Sequence, residues 1–297
     1  MPLSSSLVPV DEKGRETKEH GTVLFPIAAY SSTMHYSIPW HWHADLEAGI
    51  LQKGSVRLLT DGHAFTIHEG EGFFLNADTL HAFRRSGKEA CEMRSVVFAP
   101  RIVAGSMESV YWQNYMSPVL NNRNLKTILL KPDTEDSIRI LKDIEDAWEN
   151  VVGEPSGYEF TVRNVLSDAV FRIRSWTEEY TERSNARDLR DESRIRTMLA
   201  YIEQHFHEDI ALEDIAASAS IGINECMRCF RRTVQTSPVQ YVKQLRIQKA
   251  AALLRMTDLR ISEAAEACGF LDMSYFSRTF RSYTGMTPSE YREAFNH

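Results

Sequence analysis

Between residue 22 and about residue 100 the apolar positions come in short runs broken by tight turns. Val56-Arg57-Leu58-Leu59-Thr60 and His63-Ala64-Phe65-Thr66-Ile67 flank Asp61-Gly62, a dipeptide that suits the positive φ angles of a two-residue hairpin turn. Glu69-Gly70-Glu71-Gly72 marks another turn ahead of Phe73-Phe74-Leu75. Short strands so closely spaced predict a sandwich or small barrel. From Asp133 the period changes to steps of three and four. Ile138, Leu141, Ile144 and Trp148 predict one amphipathic helix. Val162, Val165, Leu166, Ala169, Ile173 and Trp176 predict a second, over Tyr158 to Tyr180, with Pro155-Ser156-Gly157 between the two. Thr181 to Glu192 is polar, charge-rich and without period, which predicts a linker. Ser193 is placed to cap a further helix carrying Ile195, Met198, Leu199, Ile202 and Phe206.

Beyond that helix the chain repeats itself. Arg-Cys-Phe-Arg (228–231) recurs 50 residues later as Arg-Thr-Phe-Arg (278–281), and Ser-Pro-Val-Gln-Tyr (237–241) as Thr-Pro-Ser-Glu-Tyr (287–291). Upstream the offset is 49, matching Ala216 to Ala265 and Ile221 to Phe270, so the one-residue difference falls in a turn. Ser237 and Thr287 are N-cap residues, Pro238 and Pro288 take the first helical position, and Gln240 and Glu290 complete capping boxes. Before each cap lies a short helix. One side carries Cys226, Cys229 and Phe230, or Phe276, Phe280 and Tyr283. The other shows Asn224, Met227, Arg228 and Arg231, or Ser274, Ser277, Arg278 and Arg281. A turn and another short helix precede it, which is the helix-turn-helix arrangement.

Charge sharpens that reading. The 297-residue chain has a net charge of -7, yet Cys226 to Thr257 holds no Asp or Glu while Arg228, Arg231, Arg232, Lys243, Arg246, Lys249 and Arg255 fall there. A one-signed stretch inside an acidic chain is a footprint of phosphate contact. Arg246 lies in line with Val242 and Ala250, and either pairs internally or meets phosphate. The apolar fraction of 43% and charged fraction of 25% are those of an ordinary globular protein. No window reaches about 18 uninterrupted apolar residues, and Met1 to Gly14 has no basic region followed by an apolar run, so a cytoplasmic location is expected. Four cysteines, Cys91, Cys226, Cys229 and Cys268, make no disulfide framework. Cys226 and Cys229 have zinc-like spacing, but no second Cys or His pair accompanies them, so they are expected to pack beside Phe230.

Residues 193–292 resemble the DNA-binding domain of AraC-type transcription regulators, most densely over Ile261 to Phe270, Ser274 to Arg281 and Gly285 to Arg292. The resemblance implies that Val239 to Leu254 connects two helix-turn-helix units that enter adjacent stretches of major groove. Two positions depart from the pattern: Gly222 stands where Ser often caps, and Gln235 where Gly is usual.

His41-Trp42-His43, Glu47 and Gly54 form a His-x-His-x3-Glu-x6-Gly pattern similar to the first motif of the cupins, and His81 stands where their second motif supplies a ligand. Alternate strand residues point the same way, so His41 and His43 can converge. Three imidazoles and a carboxylate suit a divalent transition metal. The leading Gly and the usual Pro-x-Gly are missing, however, and the sensor domains of AraC-type regulators commonly bind an organic effector without metal. Trp40, Trp42 and Phe74 are either pocket wall or core.

The expectation is an α+β chain. Residues 1–185 form a cupin-like β-barrel with a helical pair, which binds an effector at His41, His43, Glu47 and His81 and dimerises. Residues 190–297 form an all-α tandem helix-turn-helix domain that reads double-stranded DNA through Asn224, Met227, Arg228, Arg231, Arg232, Ser274, Ser277, Arg278 and Arg281. No cofactor and no membrane association are expected. RNA polymerase is a further partner. The alternative is a metal-dependent cupin oxygenase or isomerase fused to a DNA-binding tail, with His41, His43, Glu47 and His81 as ligands.

Overall fold

The computed structural model describes residues 15–16, 18–34, 37–60, 62–86, 91–177 and 186–295. The start of the chain to Gly14, Tyr180, and residues 181–185 of the expected linker lie outside them. Two compact units result, one from Thr17–Ser37 and Trp42–Asp188, the other chiefly from Leu189–His297.

Residues 27–130 form nine strands in two antiparallel sheets. β1 (Ile27–Met34), β8 (Cys91–Phe98), β3 (Leu46–Lys53), β6 (Gly72–Leu75) and β9 (Thr127–Leu130) make one, in that order. The edge strand β2 (Ile38–His41), β7 (His81–Arg85), β4 (Ser55–Thr60) and β5 (His63–His68) make the other. Thr60 pairs with His63, so the loop has the two residues expected of Asp61-Gly62. Central β3 is buried from Leu46 to Leu51, as a strand covered on both faces must be.

After two short helices, α1 (Arg101–Ala104) and α2 (Ser117–Leu120), come α3 (Glu135–Gly153) and α4 (Tyr158–Trp176). Thr134 caps α3 by accepting from the Ser137 amide at 3.2 Å. Ile140, Leu141, Ile144, Ala147 and Val151 bury its inner face against the five-stranded sheet, together with Val162, Leu166, Ala169, Val170 and Ile173 of α4. Gly72 permits the close approach: a Cβ there would lie 2.6 Å from the Leu141 side chain and 2.5 Å from the Gly49 carbonyl. Ile138, assigned to this stripe from spacing, is 51% exposed. The inner face runs through 140, 144 and 151, which leaves Ile138 on the outer side. Phe74 belongs to the same core, so it is not a pocket wall.

The second unit is helical: α5 (Ala186–His205), α6 (Leu212–Ser218), α7 (Ile223–Cys229), α8 (Pro238–Met256), α9 (Ile261–Ala267), α10 (Met273–Thr284) and α11 (Pro288–Phe295). The linker and cap expectations fail here. α5 already runs from Ala186, so Ser193 lies inside it, and tertiary ion pairs, Asp191 with Arg232 and Arg194 with Glu225, hold a stretch that has no apolar period. The long connecting helix α8 buries Tyr241, Val242, Leu245, Ala250 and Leu254. The Ser237 and Thr287 hydroxyls each accept an amide at 3.3 Å. Only Glu290 reaches back to its cap amide, at 2.7 Å; the Gln240 oxygen instead meets the Tyr283 hydroxyl at 3.5 Å. Tyr283 is accordingly 42% exposed rather than packed beside Phe280. The extra residue of the second turn is Leu271, 95% exposed. Gln235 takes the left-handed conformation (φ 59) that Gly285 takes in the second copy, a strain of about 1–2 kcal/mol for a residue with a Cβ.

Candidate effector site and nucleic-acid interface

The first unit gathers histidines around one carboxylate. Glu47 extends from β3 of one sheet and His81 from β7 of the other. Glu47 Oε2 lies 3.3 Å from His81 Nε2 and 3.5 Å from His43 Nε2. Each imidazole is oriented from behind. His43 Nδ1 is 2.9 Å from the Asp45 carbonyl, His81 Nδ1 2.8 Å from that of Thr79, and His41 Nδ1, at the end of β2, 2.9 Å from that of Pro39. A carbonyl can only accept, so each Nδ1 carries a proton; a ring that is also protonated on Nε2 donates to the carboxylate in front of it, and a neutral ring offers an Nε2 lone pair there instead. Ligand-capable atoms of His41, His43 and His81 lie within 4.8 Å of one another. Burial alone would raise the Glu47 pKa, but the contacts from His43 and His81 hold it well below the usual carboxylate range. Trp40 and Trp42 are buried nearby in the chain.

His20 is the member of this cluster that sequence reasoning missed. Its ring meets the His43 ring edge-on with centroids 5.4 Å apart, and its Nδ1 lies 2.8 Å from the Tyr30 hydroxyl. Burial, and after it the neighbouring His43, push its pKa down to about 4, so it is neutral near pH 7. It precedes the His-x-His motif by about twenty residues, in a stretch without period. The unit also has a surface groove of about 350 Å³ lined by Leu24, Phe25, Ile102 and Phe160 with Arg101 and Arg163.

In the second unit the two recognition helices, α7 and α10, present similar faces. Asn224, Arg228, Arg231 and Arg232 are exposed with Met227 half-buried, and Ser274, Arg278 and Arg281 are exposed with Ser277 half-buried. Cys226, Cys229, Phe230, Phe276 and Phe280 form the buried side. Two residues of the basic stretch turn inward. Arg246 donates to the carbonyls of Phe206 (2.6 Å), Glu208 (2.5 Å) and Gly269 (3.1 Å), which settles its role as internal. Lys249 pairs with Glu203. Arg232 donates to the buried Asp191 carboxylate at 3.0 Å. Asp191, Glu225 and Cys229 lie close enough to suggest a cation site, but arginines already neutralise both carboxylates, and burial pushes the Cys229 thiol up to about 11.

A two-sheet sensor followed by paired helix-turn-helix units with basic, exposed second helices defines a ligand-responsive transcription regulator. Comparison with known proteins agrees. Residues 24–135 match the AraC-like ligand binding domain and residues 215–294 a helix-turn-helix domain. The HTH-type transcriptional regulator YdeC of Bacillus subtilis (strain 168) is 27% identical over 290 residues, covering 96% of this chain and 97% of its own. The melibiose operon regulatory protein of Escherichia coli (strain K12) is 22% identical over 291 residues, covering 90% and 91%. Among solved structures, ToxT from Vibrio cholerae O395 aligns over 91% of this chain and 98% of its own, with 14% identity and a TM-score of 0.46. The chain belongs to the AraC-type family of transcription regulators. No helix of the described residues is long and apolar enough to cross a membrane.

Proposed function

We propose that this regulator reads its operator through α7 and α10 in two successive major-groove segments, about 10 bp apart. The repeated exposed polar face on two recognition helices carries this reading. Asn224, Met227, Arg228 and Arg231 serve one segment, and Ser274, Ser277, Arg278 and Arg281 the next; Arg232 is held by Asp191 and supports the helix. A footprint of the purified protein upstream of its neighbouring genes defines the operator. On that duplex, Arg228→Ala and Arg278→Ala should each cost about 1–3 kcal/mol and relax preference at one base pair, with Arg228 at the lower end. Wild-type affinity in both variants would overturn the assignment.

Residues 1–185 are read as the sensing and dimerising part, residues 190–297 as the DNA-binding part, and the protein as a cytoplasmic non-enzyme that meets RNA polymerase at its promoters. The effector is read as a polar organic molecule that lodges against His41, His43, Glu47 and His81 and shifts how a homodimer presents its DNA-binding units. A second reading has an observation of its own. With the rings neutral and their Nδ1 protons tied to carbonyls, three Nε2 atoms would be arranged as in a metal site, and an ion needs less room than a molecule. Elemental analysis of tag-free protein separates the two. The organic reading expects less than about 0.1 metal ion per chain, and His81→Gln should lose the effector response while keeping effector-free operator affinity. Stoichiometric zinc, iron, manganese or nickel that disappears in His81→Gln would establish the metal and revive the enzyme alternative.

The homodimer rests on leftover surface. The inner stripes of α3 and α4 are consumed by the sensor's own core, but Leu24, Tyr111, Phe160 and Phe171 remain 95%, 57%, 74% and 56% exposed, an amount of apolar surface that suits a partner. Residues 1–185 should sediment as a dimer at micromolar concentration and residues 190–297 as a monomer. A monomeric first fragment refutes the idea.

A further inference from the structure

The two recognition helices share a polar face but differ in charge state. On α7, Glu225 accepts from Arg194 Nη1 of α5 at 2.9 Å and pairs with Arg228 three residues on. On α10 the residue fifty places later is Tyr275, and Arg278, the counterpart of Arg228, has no acidic side chain in ion-pair range among the described residues. On the first face Arg228 is thus neutralised by Glu225, whereas its counterpart Arg278 on the second is not.

We propose that Glu225 is a built-in competitor for DNA phosphates on the first recognition helix, holding Arg194 and Arg228 until the helix docks. Exposure decides which pairs can exchange. The Asp191 carboxylate is 3% exposed and holds Arg232 at 3.0 Å, with Arg194 at 3.6 Å. Breaking such a buried pair is costly, so Arg232 stays committed. The side chains of Glu225, Arg194 and Arg228 are 26%, 34% and 46% exposed. Pairs that reach water contribute little, and DNA can replace the carboxylate, with a phosphate for Arg194 and, on the operator, a base edge for Arg228. Docking then leaves the Glu225 charge beside the DNA backbone, where it repels. The second unit therefore carries the larger share of the initial electrostatic attraction, and the first engages at the expense of its own ion pairs.

The proposal rests on the DNA-binding reading, and its test separates the two. Full-length protein is titrated by fluorescence anisotropy against a duplex of arbitrary sequence and against the footprinted duplex, over a range of salt. Wild type that binds neither duplex removes the DNA-binding reading itself. Given binding, Glu225→Gln should tighten it about two- to fivefold on both duplexes and steepen the dependence of log K on log salt by about one. Unchanged or weaker binding overturns the proposal, because a carboxylate that merely orients Arg228 would be missed. Tightening confined to one base pair of the footprint also overturns it, since phosphates carry no sequence. If Glu225→Gln melts early, a comparison in the wild-type background decides. Arg278→Gln should lose at least threefold more affinity for the arbitrary duplex than Arg228→Gln, and equal losses overturn the proposal.

Discussion

Arg246→Ala is expected to destabilise the DNA-binding unit by about 3 kcal/mol or more, while Arg246→Lys recovers less than half of that. The guanidinium closes three carbonyls at once: Phe206 at the end of α5, Glu208 in the loop behind it, and Gly269 in the turn of the second helix-turn-helix. Each is a charge-assisted hydrogen bond worth about 1.5–3 kcal/mol in isolation, and a sum over a shared donor is less than additive. Burial lowers the Arg246 pKa, but an arginine remains charged at any physiological pH. Lysine has one nitrogen in place of a planar fork and cannot reach three divergent carbonyls. The turn is built around this side chain: a Cβ on Gly269 would lie 3.0 Å from the guanidinium and 2.9 Å from the His207 carbonyl. Urea denaturation of wild type and both variants measures the effect. An alanine variant within about 0.5 kcal/mol of wild type would show that water satisfies the carbonyls equally well. Because Arg246 faces inward, the salt dependence of DNA binding should stay unchanged in any variant that remains folded.

The same residue shows where sequence reading stops. Spacing places Arg246 on a helix face and its neighbours show a run of basic residues, but its acceptors sit on three other segments, 23 to 40 residues away. Lys249 is misread for the same reason, its partner Glu203 being on α5. By contrast, the tandem repeat is legible because capping chemistry and helical period are local: Ser-Pro and Thr-Pro start helices wherever they stand. The hairpin at Asp61-Gly62 is legible on similar grounds. The linker expectation over 181–192 failed in its second half because tertiary ion pairs, not an apolar stripe, support the first turns of α5. In the sensor, the His-x-His-x3-Glu pattern finds His43 and Glu47, and His81 follows by resemblance. His20 has no pattern at all. Only the fold brings it beside His43.

His20 should make the sensor unit sensitive to mild acid. Its imidazole is 6% exposed, and its pKa falls from an unfolded value near 6.5 to about 4 in the folded chain, first through burial and then through the neighbouring His43. Between those two pH values the unfolded chain binds a proton that the folded chain does not, so stability rises with pH across this window. The contribution is fully present above pH 6.5 and lost as pH falls toward 4. A difference of that size corresponds to about 3 kcal/mol. Two other groups in the unit titrate near this range with their own signs. Glu47, held low by His43 and His81, adds a loss that starts only below its unfolded value of 4.5. Asp143, raised to about 6 by burial and by Asp168, works in the opposite direction, since its folded form takes up a proton first. The wild-type curve alone therefore mixes three terms, and the difference from His20→Gln isolates one. Glutamine keeps a group that can meet the Tyr30 hydroxyl, now 2.8 Å from Nδ1, and does not titrate. Urea unfolding of effector-free protein at pH 7, 6, 5 and 4.5 should show wild type losing stability faster than His20→Gln as pH falls, by about 2 kcal/mol over that span. Parallel curves would mean that the folded sensor accommodates a charged His20 and that the histidine cluster admits water.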